Sequence, residues 1–360
     1  MIDQKELINI IREFPDRSIR WLLETPDNLR GLLLITAKDL AKKFDYTKAE
    51  ILNRTFILDD FQKREADIIF RIPLSDTKED KLSDEIIVYI MIENQSTVDP
   101  LMSFRVLTYM IQVWNMEMKE WKSNNVPLHQ RYFHLILPIV LYTGNQRWES
   151  QLEMKELMKI SGDLEIFVPK FKIFFLNLRE IDPEQLVYED NPFGWVLRVM
   201  KSEERSIDEF KKELDLAVKK LEQMPPEKLT NWEKLIYFLV MYIYNRRNPD
   251  ERSELIGIID KNIKERFRRE EVNKMGRTIA QALIEEGREE GLKEGLKEGL
   301  KEGLKEAVIE TLELKFKVIP KNIVNAINNI MKIDILREIH REAIKCESIE
   351  EFEEKIKAIE

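Results

Sequence analysis

Cysteine is almost absent from this chain: Cys346 is the only one among 360 residues. A lone cysteine makes no internal disulfide, which fits a reducing compartment, so a cytoplasmic protein is expected. The three histidines, His129, His134 and His340, do not form a zinc-ligand pattern. The longest apolar run, Leu235 to Tyr244, is ten residues, whereas a bilayer span needs about 20. The opening Met1-Ile2-Asp3-Gln4-Lys5-Glu6 does not read as a secretory signal, so no membrane partner is expected. Neither G-x-x-x-x-G-K-[ST] nor G-x-G-x-x-G occurs, which sets aside P-loop and dinucleotide chemistry. Positive charge is short as well. The net charge is -9, and residues 1–190 hold 25 Lys and Arg against 32 Asp and Glu. A DNA binder normally carries a basic footprint, so a nucleic-acid site here must gather its cations on one face.

What is present is a chain able to bury a core, 43% hydrophobic, with the 35% charged content of solvated helices. Its organising stretch runs from Arg64 to Gln112. Arg64 to Ile72 is strand-like, and a polar, acidic turn follows. Ile86-Ile87-Val88-Tyr89-Ile90-Met91-Ile92 is almost wholly apolar and β-branched, which predicts a strand buried on both faces. Paired in a hairpin, the two strands would carry one carboxylate each, Asp67 and Glu93. Side chains alternate along a strand, so Glu93 and Gln95 share a face and Asp67 can converge on them. A hard divalent cation takes such oxygen ligands, one or two carboxylates completed by water and a phosphate. The same spacing is also satisfied by strand-end carboxylates that simply accept neighbouring N–H groups, and on spacing alone that is the commoner outcome.

Asp67 followed by Glu93-x-Gln95, each after an apolar strand, resembles the PD-(D/E)XK nuclease signature in its E-x-Q form. More closely, Arg64-Glu65-Ala66-Asp67, Glu93-Asn94-Gln95-Ser96-Thr97-Val98-Asp99-Pro100-Leu101-Met102, Arg105-Val106-Leu107-Thr108-Tyr109 and Leu137-Pro138-Ile139-Val140-Leu141-Tyr142-Thr143-Gly144 resemble the recombination-promoting nuclease family, transposase-like members of that superfamily. The resemblance covers about Asp16 to Leu178. It implies a restriction-endonuclease-like α/β core with a mixed sheet, a Mg²⁺ or Mn²⁺ cofactor held by Asp67 and Glu93, and DNA as the partner. Gln95 would position the attacking water. The superfamily usually has lysine there, and an amide supplies no positive charge. Pro15-Asp16-Arg17-Ser18-Ile19-Arg20-Trp21-Leu22 resembles the family's opening helix motif, with Pro15 and Ile19 as departures. It leaves Asp16 as an accessory carboxylate or as an N-cap.

Taken in order, Ile8 to Leu34 reads as helices and Ala37 to Lys43 as a short one. Asp99-Pro100 sets a helix start, with a helix from Leu101 to about Trp121. Arg105, Tyr109 and Gln112 share one face of it. Arg105 either reaches a DNA phosphate or the catalytic carboxylates, or it snorkels while Tyr109 packs. Tyr132 to Thr143 is a strand in which Pro138 demands an edge or a bulge. Glu149 to Ile160 reads as a helix and Lys172 to Leu178 as a strand. Beyond Pro192 helices dominate: Val196 to Met224, Trp232 to Arg247, which is apolar nearly all round, and Pro249 to Lys274.

A period-four repeat follows, Gly287 to Glu306, built on Gly-Leu-Lys-Glu. On a helix each repeat advances about 400°, so the leucine stripe drifts by about 40°. Glu290 and Lys293 illustrate its i, i+3 pairs. Each glycine costs about 1 kcal/mol against alanine. Two readings stand: a self-association helix with close backbone approach and a right-handed supercoil, or a solvated spacer grown by repeat expansion. Val308 to Phe316, Lys321 to Met331, Ile333 to Lys345 and Ile349 to Ile359 complete a helical tail. The expected organisation is a nuclease-like domain over 1–190, a helical region over 191–286, the repeat helix over 287–306 and a tail over 307–360. The expected activity is metal-dependent DNA endonuclease, with homo-oligomerisation through the repeat. The alternative is a catalytically inactive, self-associating DNA- or protein-binding module on the same fold.

Overall fold

The computed structural model describes residues 14, 16–52, 68–75, 85–93, 98–149, 152–160 and 162–359. The chain divides into two units, Met1–Ala280 and Gln281–Glu360.

The first unit is built on a five-stranded mixed sheet in the order β1 (Glu50–Ile51), β2 (Ile68–Pro73), β3 (Glu85–Glu93), β4 (Leu135–Tyr142) and β5 (Phe174–Asn177). β1 and β2, and β2 and β3, pair antiparallel; β3 and β4, and β4 and β5, pair parallel. The expected hairpin is therefore present, with Ile68 opposite Ile90 and Pro73 opposite Glu85. β3 and β4 are joined by a long crossover helix, Met102–Ser123, as parallel neighbours require. Both strands are apolar along almost their whole length because the sheet is covered on both faces.

Three short helices precede the sheet or flank its first strand: α1 (Asp16–Leu23), α2 (Pro26–Thr36) and α3 (Lys38–Ala41). α1 packs against β3 and α2 against β5, burying Ile19, Leu22, Leu29, Leu32 and Leu33 completely. The crossover helix, α4, lays Met102, Val106, Tyr109, Met110 and Val113 on the other face, over Ile69, Ile87, Ile136 and Val140. Asp99 caps α4 from just outside it, its Oδ1 accepting the Leu101 N–H at 2.9 Å.

Pro138 sits inside β4, opposite Tyr89 of β3. β5 pairs with β4 only from Ile139 onward, so on that side Pro138 is locally an edge residue. The stretch from 149 to 160 is not a helix. Among its described residues only a 3₁₀ turn, Met154–Leu157, forms, and only Met154 is buried. Its contacts with the core come from Leu152 and Met154, two residues apart and not on one helical face, and tertiary burial decides such short segments.

Helices complete the unit: α5 (Pro183–Leu186), α6 (Pro192–Lys201), α7 (Ile207–Leu221), α8 (Leu229–Arg246), α9 (Pro249–Asn262) and the start of α10 (Arg266–Phe316). The single helix expected over 196–224 is broken between Lys201 and Ile207. Ser206 starts the second piece, its Oγ accepting the Glu209 N–H at 3.4 Å while donating to the Glu209 carboxylate at 3.0 Å. The spacing is that of a capping box, although the carboxylate takes the Ser206 hydroxyl and not its backbone N–H. The helix expected over 249–274 is likewise broken, between Asn262 and Arg266. α8 is buried from Leu235 to Ile243, as its all-round apolar sequence requires. A buried amide pair ties it to α2: Asn231 Nδ2 donates to Asn28 Oδ1 at 3.1 Å, and Asn28 Nδ2 to the Leu22 carbonyl at 2.8 Å.

In the second unit the end of α10 packs with α11 (Lys321–Asn329), α12 (Ile333–Lys345) and α13 (Ile349–Ile359) around Val308, Leu312, Ile327, Leu336, Ile339 and Phe352. The repeat lies within α10. None of the described helices is long and apolar enough to cross a membrane.

Candidate functional site

Three parallel strands finish together. Glu93 is the last residue of β3, Tyr142 of β4 and Asn177 of β5, and the registers pair Glu93 with Tyr142 and Tyr142 with Asn177. With strands about 4.8 Å apart, the row spans roughly 10 Å. This is the carboxyl edge of the parallel part of the sheet, where open α/β sheets place ligands. β2 begins at Ile68, the residue after Asp67, and Ile68 lies opposite Ile90, three residues before Glu93. The start of β2 thus lies at the end of the hairpin where β3 stops.

The row is polar and tightly held. The Tyr142 hydroxyl donates to the Gln146 carbonyl at 2.9 Å, and its ring meets Trp148 edge-on at 5.0 Å between centroids. Asn177 is buried; its Oδ1 accepts the Arg179 N–H at 3.1 Å, and its Nδ2 has no hydrogen-bond partner among the described residues. A buried amide donor without a partner is costly.

Asp67 and Gln95 lie outside the described residues. Glu93 is placed by its strand. Asp16 is the first residue of α1. Arg105 and Tyr109 come from the first two turns of α4, and Tyr109 is buried against the sheet. Arg105 Nη1 pairs with Asp99 Oδ2, both side chains mostly buried. The guanidinium is thereby fixed at the start of α4. Gln112, a turn further along α4, is buried with its Oε1 unpartnered among the described residues. The two carboxylates expected to hold a metal, Asp67 and Glu93, offer oxygen alone, which suits Mg²⁺ or Mn²⁺ better than zinc. Among the described residues no cluster of three His, Cys, Asp or Glu side chains forms a competing centre.

A family model described as putative transposase, YhgA-like, matches residues 15–228, more than half of the chain. The chain belongs to that family. The matched span takes in the whole sheet, its carboxyl edge and the helices through α7, so the YhgA-like unit and the candidate site coincide. The repeat and the second unit lie beyond it. No curated protein and no solved structure matches the chain.

Asn177 and the cations near it, Arg179, Lys201 and Arg205, are not singled out by the sequence. Asn177 follows an apolar strand as Glu93 does, which is the one signal that points to it. Lys201 ends a helix, and a basic residue there reads as a partner of the helix dipole.

Proposed function

We propose that this YhgA-like protein is a divalent-metal-dependent DNA endonuclease with a PD-(D/E)XK type of site at the carboxyl edge of its sheet. The observation that carries the reading is the position of Glu93. It ends a buried parallel strand, in line with Tyr142 and Asn177, one hairpin away from the strand that follows Asp67. Membership of a transposase family supports action on nucleic acid. Asp67 and Glu93 would hold Mg²⁺ or Mn²⁺. When bound, such an ion polarises a phosphoryl oxygen and makes water more acidic. Gln95 positions the attacking water. Arg105, anchored by Asp99, adds a fixed positive charge beside the site. The lone, buried Cys346 supports a cytoplasmic setting.

The acidity of residues 1–190 favours the other reading, a non-catalytic self-associating module on the same fold. One experiment separates them. Purified protein should cut duplex DNA with Mg²⁺ or Mn²⁺ and stop when a chelator is added. Asp67→Ala and Glu93→Ala should each abolish cutting while the circular dichroism spectrum stays unchanged. Undiminished cleavage in both variants removes the site, and no cleavage by the wild type under any divalent ion removes the activity.

A further inference from the structure

Beyond the ends of β4 and β5 the same edge opens into a cleft of about 260 Å³. Thr143 and Asn145, just after β4, form one side, and Arg179, just after β5, forms another. Lys201, the last residue of α6, and Arg205, in the turn before α7, close it. Glu203 and Glu204 also border it. Three cations therefore meet two carboxylates, and both carboxylates are engaged. Glu203 accepts the Tyr242 hydroxyl and lies 4.0 Å from Arg246 Nη1; Glu204 pairs with Arg179.

Lys201 and Arg205 are left with no carboxylate partner among the described residues. The Lys201 ammonium is held in place by main-chain oxygens, donating to the Leu178 carbonyl at 3.1 Å and to that of Arg179. Burial depresses its pKa below the ordinary lysine value, and the Arg205 and Arg179 charges push the same way, against weaker opposition from Asp182 and Glu180. The cleft is thus a preformed positive spot in a chain of net negative charge, and an anion is the ligand that relieves it.

We propose that this cleft holds a backbone phosphate of the DNA strand lying across the Glu93 edge, gripped by Lys201 and Arg205. The assignment rests on the nucleic-acid reading above. Strand spacing puts the cleft roughly 5–10 Å from the Glu93 position, a reach of about one to three nucleotides at about 3.4 Å each along a strand. The cations missing from the overall composition are concentrated where a phosphate next to the reacting one falls.

The test is the salt dependence of binding. The full chain is titrated against a fluorescein-labelled DNA duplex in chelator, so that nothing is cut, at several salt concentrations. For every phosphate that a variant no longer neutralises, the slope of log K against log salt should fall by about 0.9. Arg205→Gln and Lys201→Gln should each show that reduction and the double variant about twice it. Lys119→Gln, on the exposed outer side of α4, should leave the slope unchanged. Arg205 is exposed, so its variant decides the question even if Lys201→Gln does not fold. An unchanged slope in Arg205→Gln, or a wild type without salt-dependent binding, overturns the cleft. A wild type that binds with these slope changes but cuts nothing keeps the cleft and removes the nuclease. One that cuts while the slopes stay fixed does the opposite.

Discussion

On the endonuclease reading proposed above, Gln95 stands where the PD-(D/E)XK signature usually has lysine, and the difference is chemical. An amide can orient water through one hydrogen bond but cannot lend a positive charge to a developing anion. If orientation is its whole task, Gln95→Ala should lower the cleavage rate by about 10²–10³-fold, the scale of one positioned hydrogen bond. The metal concentration at half-maximal rate should barely move, and Gln95→Lys should be tolerated. Wild-type turnover in Gln95→Ala would take this residue out of the mechanism. Glu93 is legible in the sequence as a strand-end residue because it closes a long apolar run, whereas Asp67 and Gln95 lie outside the described residues. Asn177, Lys201 and Arg205 are not legible in that way. Their common feature is proximity to the carboxyl edge of the sheet, and it comes from β5 and α6 folding back over a chain separation that no local pattern records.

Among the elements, those whose burial is written into composition are the ones the sequence announces. β3 and α8 are apolar all round and lie where such segments must. The hairpin and the crossover helix follow from the acidic turn after Ser75 and from Asp99-Pro100. The segment from 149 to 160 misleads because its core contacts come from Leu152 and Met154, which do not share a helical face. The break after Lys201 is missed because the capping signal Ser206-x-x-Glu209 sits inside a continuous helical period. Pro138 reads correctly as an edge residue, although the strand is interior, because β5 stops short of it. One close approach between elements is invisible from sequence. A Cβ built on Gly194 in α6 would lie 1.7 Å from the Leu186 carbonyl oxygen at the end of α5. Backbone rather than a flexible side chain is in the way, so Gly194→Ala should force α5 and α6 apart. A cost of about 1–3 kcal/mol or more is expected, read as a lower midpoint in urea with an unchanged denaturant slope. Gly257→Ala, with open space around it in α9, is the control and should be neutral or stabilising. Equal stability of Gly194→Ala and wild type would contradict the packing described.

At the scale of the whole molecule, the repeat is the feature least explained by the fold. Leu292, Leu296 and Leu300 are 64%, 66% and 45% exposed, and among the described residues nothing beyond the adjoining turns of the helix's own chain lies within 4 Å of a Cβ built on Gly291, Gly295 or Gly299. The helix therefore exposes its leucine stripe and its glycine row, at about 1 kcal/mol of helix propensity per glycine. Lys301 and Lys305 are mostly buried and pair with Glu298 and Glu302 one turn earlier, so the charges are partly satisfied within the helix itself. The leucines have no such internal answer. A second copy of the chain would supply a matching stripe and rows of opposite charge, and an isologous pair would bury both at once. An endonuclease with one site per chain nicks unless a partner cuts the other strand, so pairing bears on the product. Deleting 287–306 should shift the protein from dimer toward monomer in sedimentation at matched concentration. With supercoiled plasmid as substrate, it should raise the ratio of nicked to linear product. Because Leu304 onward packs in the second unit, the deletion must be compared with a same-length run of Ala-Glu-Ala-Lys that keeps the helix. If that replacement restores the dimer, or if the full-length and deleted chains sediment as one species, the repeat is a spacer and the leucine stripe has no part in association.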